Sequence, residues 1–258
     1  MPELPEVETL CRQLRQVVLG ARILKGRILD ERLGKMEDPA GRRVLAIIRR
    51  GKVFQFQLEG GLSLFIQLRM TGRFHWQEEG DIPPRARFLL SFSHGSLFLT
   101  DVRRLATLRC SRGKNGFPVG SEPLDGLDCR LIFEISRRRR LPVKNFLMDQ
   151  KVIAGIGNIY ASEILFRSRI SPLRRASSLS LHEWGKIIRV TGEVLDRAVR
   201  CRGTSVSDWK DLYGRKGEYQ EHLRVYGRAG KACRRCGDSI RRVVMSGRAT
   251  FYCPACQK

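Results

Sequence analysis

Two cysteine pairs near the end of the chain, Cys233-x2-Cys236 and Cys253-x2-Cys256, constrain the fold more than any other feature. Sixteen residues separate them, the spacing of a ribbon in which each pair sits on a tight turn and four thiolates close a tetrahedron around one zinc ion. Two disulfides would need an oxidising compartment that nothing else in the chain supports. A closed all-thiolate site has no open coordination position, so this zinc is expected to fold the tail and to do no chemistry. Arg234, Arg235, Arg241, Arg242 and Arg248 crowd the same segment, which predicts guanidinium groups presented to phosphates. The other cysteines, Cys11, Cys110, Cys129 and Cys201, are scattered as buried free thiols are and take no assigned role.

Charge points to the partner. The chain has 49 Lys and Arg against 26 Asp and Glu, a formal charge of +23, and the excess appears in both halves. A polyanion is the expected partner, and nucleic acid fits best, because each neutralised phosphate releases counterions. No apolar run reaches the roughly 18 residues of a spanning helix, so no membrane is expected. The acidic, proline-rich start is unlike a secretory signal. A soluble intracellular protein is expected; 258 residues with 42% hydrophobic content allow one or two domains plus a small module.

The hydrophobic period changes along the chain. Val7, Leu10, Leu14, Val17 and Val18 recur at helical spacing with Gly20 as a C′ stop, predicting a helix over about 3–19. Segments near 44–48, 52–58, 62–69, 86–92, 96–100 and 131–135 are short, apolar and punctuated by Gly and Pro, which predicts strands of an antiparallel sandwich or barrel. From about 143 the period returns to 3.6. Ser180-Leu-His-Glu183 is a capping-box pattern, and Trp184, Ile187, Ile188, Val194, Leu195 and Ala198 trace one stripe to about 199. The stretch 136–142, with Arg137 to Arg140, reads as a solvated hinge between the two halves.

Two motifs suggest chemistry. Removing Met1 from Met1-Pro2-Glu3-Leu4-Pro5-Glu6 would leave a secondary amine on Pro2 beside the Glu3 carboxylate. An N-terminal proline keeps a basic nitrogen that can attack an electrophilic carbon and form an iminium, and an α-amine pKa of roughly 7.7–8.0 leaves a neutral fraction at physiological pH. The same residues equally suit the first turn of a helix, which favours acids and tolerates proline; the two readings are compatible. Gly155-Ile-Gly157-Asn158 is not a dinucleotide fingerprint, since Tyr160 occupies the third glycine position. It suits either a phosphate-binding turn at a helix N-terminus or a helix–helix turn with Asn158 as N-cap.

Together these pieces resemble the bacterial formamidopyrimidine-DNA glycosylases, of the wider group that includes endonuclease VIII. The likeness runs the length of the chain: MPELPEVET, RRGK ending in Lys52, QLRMTG around Met70, TDVRRL around Arg103, NFLMDQ after Lys144, GIGNIYASE around Asn158, VYGR at Val225 to Arg228, and CRRCG…GRATFYCPACQK. It implies an α+β multidomain protein: an N-terminal antiparallel β-sandwich with flanking helices (1–135), a helix-two-turn-helix DNA-binding domain (143–226) and a four-cysteine zinc finger (227–258), with damaged double-stranded DNA bound across the cleft. It further implies a bacterial, cytoplasmic enzyme that associates with the nucleoid through DNA and works as a monomer.

The resemblance also assigns roles. Pro2 would be the nucleophile, Glu3 the proton shuttle at the sugar ring and Lys52 a strand-borne lysine that contacts phosphate and assists the leaving base, although alternation with Phe54 and Phe56 alone suggests a surface lysine. Glu6 would fix the amine-bearing turn. Lys144, Asn158 and Arg248 would clamp phosphates, with Arg248 counted in the catalytic set. Met70, Arg103 and Leu105 would fill the hole left by the flipped base, and Arg215 would sit in a lesion-covering loop between Gly203 and Leu223. Leu105 stands where the family carries an aromatic, Val102 where it carries proline, Arg215 where lysine is usual, and the region from Gly34 to Gly41 is short. These departures bear on which oxidised base is preferred. The implied activity is excision of oxidised purines with strand cleavage at the abasic site. The alternatives are an endonuclease VIII-like preference for oxidised pyrimidines, against which MPELPE in place of MPEGPE argues, and a zinc protein that binds damage without catalysis.

Overall fold

A computed structural model describes residues 2–113, 120–206 and 208–258. The chain divides into two compact units, Met1–Pro118 with Cys201–Glu218, and Val119–Arg200 with Tyr219–Lys258.

The first unit opens with helix α1 (Leu4–Val18), which buries Leu4, Val7, Leu10, Leu14 and Val18, the face expected from their spacing. Gly20 follows at φ +78°, a conformation that ends the helix cheaply only with glycine. Eight strands then form two four-stranded antiparallel sheets. One has the order β1 (Lys25–Ile28), β6 (Ala86–Phe92), β7 (Gly95–Asp101), β5 (Gly72–Gln77); the other β2 (Val44–Arg50), β3 (Val53–Leu58), β4 (Leu62–Gln67), β8 (Thr107–Arg112). Alternating side chains from both sheets meet in one core that includes Phe54, Phe56, Leu64, Ile66, Phe74, Phe88, Leu90, Leu97 and Leu99, and α1 adds Val7, Leu10 and Leu14. Phe54 of β3 meets Phe74 of β5 edge-to-face at 5.1 Å, which locks one sheet to the other. The architecture is thus the sandwich and not the barrel. Trp209 and Leu212, from the distant segment 201–218, complete this core.

The second unit is helical: α2 (Cys129–Arg137), α3 (Val143–Leu147), α4 (Asn158–Ser168) and α5 (Leu181–Arg200), followed by the hairpin β9 (Arg241–Met245) and β10 (Arg248–Tyr252). The box at the start of α5 forms as its sequence predicts: Glu183 N donates to Ser180 Oγ at 3.2 Å and Ser180 N to Glu183 Oε2 at 2.8 Å. The strand expected at 131–135 is instead part of α2. The Asp128 carboxylate accepts from Arg130 N and Leu131 N, capping a helix that buries Ile132 and Ser136 one turn apart. Among the described residues no helix is long and apolar enough to cross a membrane.

Candidate active-site and phosphate-binding residues

The start of α1 is braced by its own third residue. Glu6 is buried; its Oε2 accepts from Glu3 N at 2.7 Å and its Oε1 from Thr204 N at 2.7 Å. One carboxylate therefore fixes the Pro2-Glu3 turn and ties it to segment 201–218. Gly203 makes this possible: it has φ +81°, and a Cβ there would lie 2.6 Å from Glu6 Oε1. Pro2 is half-buried and Glu3 buried, so the Pro2-Glu3 turn is held in a partly desolvated setting. Gln13, further along α1, donates Nε2 to Asp211 Oδ2 at 2.8 Å and accepts Leu212 N at 3.0 Å. Arg215, exposed, reaches back to Asp211 Oδ2 at 3.1 Å and lies over the Tyr213 ring. The pattern of the sequence contained no sign of the Gln13 and Trp209 anchors.

Lys52 is not on a strand. It is the second residue of the two-residue turn Gly51-Lys52 between β2 and β3, whose register closes at Arg50 and Val53. Gly51, at φ +55°, supplies the left-handed first position such a hairpin turn needs. This turn is linked to α1. Glu8 accepts Arg49 Nε at 2.8 Å, and Arg49 Nη1 donates to Gly51 O at 3.2 Å. Burial raises the Glu8 pKa, but Arg12 and Arg49 outweigh it and hold the carboxyl below its ordinary value. The helix that follows Pro2 and the turn that bears Lys52 are thereby coupled by charge-assisted hydrogen bonds.

Met70 and Arg103 lie together: Arg103 Nη1 approaches Met70 Sδ at 3.4 Å. Met70 and Leu105 are 50% and 39% exposed. Both turns end at the same buried carboxylate, Asp101.

In the second unit, Lys144 is almost wholly buried, and its Nζ donates to Asn158 Oδ1 at 2.6 Å, Thr250 Oγ1 at 2.7 Å and Ala249 O at 3.2 Å. Asn158 Nδ2 donates to the same Ala249 carbonyl at 3.0 Å. Asn158 is thus the first residue of α4 and not its cap, a place taken by Gly157. Gln150 fixes the preceding glycine turn, accepting from Gly155 N and donating to Ile156 O. Arg248 opens β10 after the Ser246-Gly247 turn, in which both residues have positive φ, the requirement of a tight hairpin. Lys144, Asn145, Asp149, Ser246 and Arg248 line a cavity of about 200 Å³. The acceptors named for Lys144 take all three Nζ hydrogens, so Lys144 contributes a buried positive charge, while the exposed Arg248 guanidinium is the group placed to meet a phosphate.

The four cysteine Sγ atoms lie within 4.8 Å of one another, with Cys236 to Cys253 at 3.4 Å and Cys233 to Cys256 at 4.0 Å. A tetrahedron of Zn–S bonds of ~2.3 Å has S–S edges of about 3.8 Å, so the donor set fits one zinc ion and is too open for disulfides. Cys233, Ile240 and Cys253 of the finger pack with Val225 against Phe166 of α4. Its arginines divide. All are exposed: Arg241, Arg242 and Arg248 stand on the hairpin, whereas Arg235 stacks 4.7 Å over the Phe166 ring and Arg234 bonds Glu221 O. Glu163, fully buried, accepts from Arg224 N, Val225 N and Tyr226 N and so anchors the approach to the finger. Burial raises its pKa, against those donors.

Family models cover most of the chain: the formamidopyrimidine-DNA glycosylase N-terminal domain matches residues 1–108, the formamidopyrimidine-DNA glycosylase H2TH domain 119–210, and a zinc finger found in FPG and IleRS 230–258. Among curated relatives, the formamidopyrimidine-DNA glycosylase of Desulfitobacterium hafniense is 38% identical over 277 residues, covering 100% of both chains. That of Thermus thermophilus is 39% identical over 269 residues, covering 100% of this chain and 98% of its own. Among solved structures, the MutM (FPG) protein of Thermus thermophilus superposes with a TM-score of 0.91 at 38% identity, covering 99% and 98% of the two chains. A Lactococcus lactis FPG variant in complex with Fapy-dG-containing DNA gives 0.93 at 29% identity over 100% of both. Family models and full-length relatives thus agree with the braced N-terminal turn and the thiolate cluster: the chain belongs to the formamidopyrimidine-DNA glycosylase family.

Proposed function

We propose that this protein is a bifunctional DNA glycosylase and abasic-site lyase that removes oxidised purines, 8-oxoguanine and formamidopyrimidines, from double-stranded DNA. The observation that carries the reading is the bracing of the Pro2-Glu3 turn by Glu6, which holds an amine and a carboxylate together where binding alone requires neither. Once Met1 is removed, the Pro2 nitrogen attacks C1′ of the flipped nucleotide and the base departs with the glycosidic electron pair. Glu3 takes the proton released by the Pro2 nitrogen and passes it to the sugar-ring oxygen as the C1′–O4′ bond breaks and the ring opens to the iminium. The iminium acidifies C2′–H; loss of that proton expels the 3′ phosphate, a second elimination expels the 5′ phosphate, and water releases the sugar fragment. Lys52 meets the leaving base and phosphate. Arg248 and Asn158 hold phosphates of the target strand, with the buried Lys144 charge behind Asn158 in place of the direct phosphate clamp expected of it, and Met70, Arg103 and Leu105 occupy the vacated stack, with Arg215 on the segment that covers the lesion.

Zinc, bound by Cys233, Cys236, Cys253 and Cys256, holds the hairpin that presents Arg248. The domain division proposed is a catalytic sandwich over 1–118 with 201–218, DNA-binding helices over 119–200 with 219–226, and a finger over 227–258, which moves the boundary expected at 135 to 118; the protein acts as a monomer in the cytoplasm. The Fapy-dG DNA complex of the Lactococcus lactis relative supports the purine assignment. Single-turnover excision from duplexes bearing 8-oxoguanine opposite cytosine, a formamidopyrimidine or thymine glycol tests it. Both purine lesions should be cut at least about 10-fold faster than thymine glycol; the reverse order would assign the protein to oxidised pyrimidines.

A further inference from the structure

Asp101, at the end of β7, has no place in the chemistry above, yet its carboxylate is one of the most heavily used groups in the first unit. The side chain has no exposed surface. Oδ2 accepts from Leu105 N and Ala106 N at 2.7 Å each and from Arg87 Nη1 at 3.2 Å; Oδ1 accepts from Arg103 N at 3.2 Å and from the Thr71 hydroxyl. Three of these donors are backbone amides of the loop that bears Arg103 and Leu105. A fourth, the Thr71 hydroxyl, belongs to the residue after Met70, and the fifth is the Arg87 guanidinium.

A second ion pair closes the same loop. Arg87, fully buried, donates Nε to Asp30 Oδ2 at 2.7 Å and Nη1 to Ala106 O at 3.2 Å, and Arg104 Nε donates to that same Asp30 oxygen at 2.7 Å. The path Asp101–Arg87–Asp30–Arg104 therefore leaves the loop and returns to it. The backbone needs such restraint: Arg69 and Arg104, each adjacent to a probing side chain, have φ of +56° and +55°, and a non-glycine residue persists there only where its surroundings over-determine it.

We infer that Asp101 is a positioning residue for lesion interrogation: its buried carboxylate fixes both turns from which Met70, Arg103 and Leu105 project, so that the three enter the base stack as one rigid wedge. The inference rests on the glycosylase reading. Burial raises the Asp101 pKa, but the donors from Ala106, Thr71, Leu105 and Arg103 outweigh it, so the group stays ionised at working pH. A preformed wedge enters the stack without being ordered on insertion, which lowers the cost of opening a paired base. That cost is smallest where the base is already unpaired, so loss of Asp101 should matter most on intact pairs.

The test compares wild type, Asp101→Asn and Thr71→Val on three DNAs: 8-oxoguanine paired with cytosine, 8-oxoguanine in an unpaired bubble, and a preformed abasic site read by borohydride trapping. Asp101→Asn should slow excision from the paired duplex by about 30-fold or more, with less than about threefold loss on the other two; Thr71→Val, which removes one donor, should give the same pattern at about three- to tenfold. Thr71→Val keeps the test open if Asp101→Asn does not fold. Equal loss on all three DNAs, or no loss on the paired duplex, would overturn the inference. Failure of wild type to trap on the abasic site would overturn the glycosylase reading, and this inference with it.

Discussion

Protein that retains Met1 will lose excision and strand cleavage by at least about 10³-fold, because a positioned nucleophile is worth effective molarities of about 10⁵ M or more and an acylated nitrogen has no lone pair to offer. The argument rests on how completely the turn is specified. Glu6 bonds Glu3 N and Thr204 N, α1 is anchored through Leu4, Val7 and Leu10, and Pro2 has no freedom in φ. An extra residue ahead of Pro2 converts the amine to an amide without disturbing any of those contacts, so the fold and the zinc site survive. Intact mass separates the two forms, and single-turnover assays on each measure the difference. Equal rates for both would remove Pro2 from the chemistry.

Cys253→Ser will release the metal and lower DNA affinity by about 100-fold or more. A two-stranded hairpin is marginal alone, and structural zinc contributes apparent binding energies of about 10–16 kcal/mol in finger peptides. Cys253 is fully buried beside Phe166 and Ile240, so the lost thiolate cannot be replaced by solvent without opening the finger. The damage spreads because Ala249 O and Thr250 Oγ1 of the hairpin are acceptors for the buried Lys144 ammonium. Losing them strands a buried charge and displaces Arg248, each a contact of about 1–3 kcal/mol. Metal content should fall from about one zinc per chain to a trace, with fluorescence anisotropy reporting the affinity. Metal-free protein with undiminished DNA affinity would contradict the assignment.

Features set by neighbouring residues were readable before any coordinates. The helix 4–18, the box at Ser180 and Glu183, the cysteine pairs and the glycine stops each depend on a few adjacent positions, and each formed. Residues 131–135 were misread because Leu-Ile-Phe-Glu-Ile satisfies both periods, and the deciding group, the Asp128 cap, lies outside the apolar run. Strand β5, Gly72–Gln77, escaped notice because Arg73, His75 and Gln77 dilute it. Asn158 reads locally as a cap; only the arrival of Lys144 and Ala249 gives its side chain another use. Asp101 and Glu163 are the extreme case, since their principal partners include backbone N–H groups, which every residue except proline possesses and no side-chain pattern marks. The Gln13–Asp211 pair, 198 positions apart, leaves no local trace at all.

The central claim is that the N-terminal proline becomes covalently attached to the sugar of the damaged nucleotide. Borohydride reduction of the Met1-processed protein on a duplex with 8-oxoguanine opposite cytosine, followed by digestion and mass spectrometry, tests it most directly. The account predicts a stable protein–DNA crosslink whose adduct maps to the peptide beginning at Pro2. A crosslink mapped to a lysine, or none on either the lesion or a preformed abasic site, would contradict it.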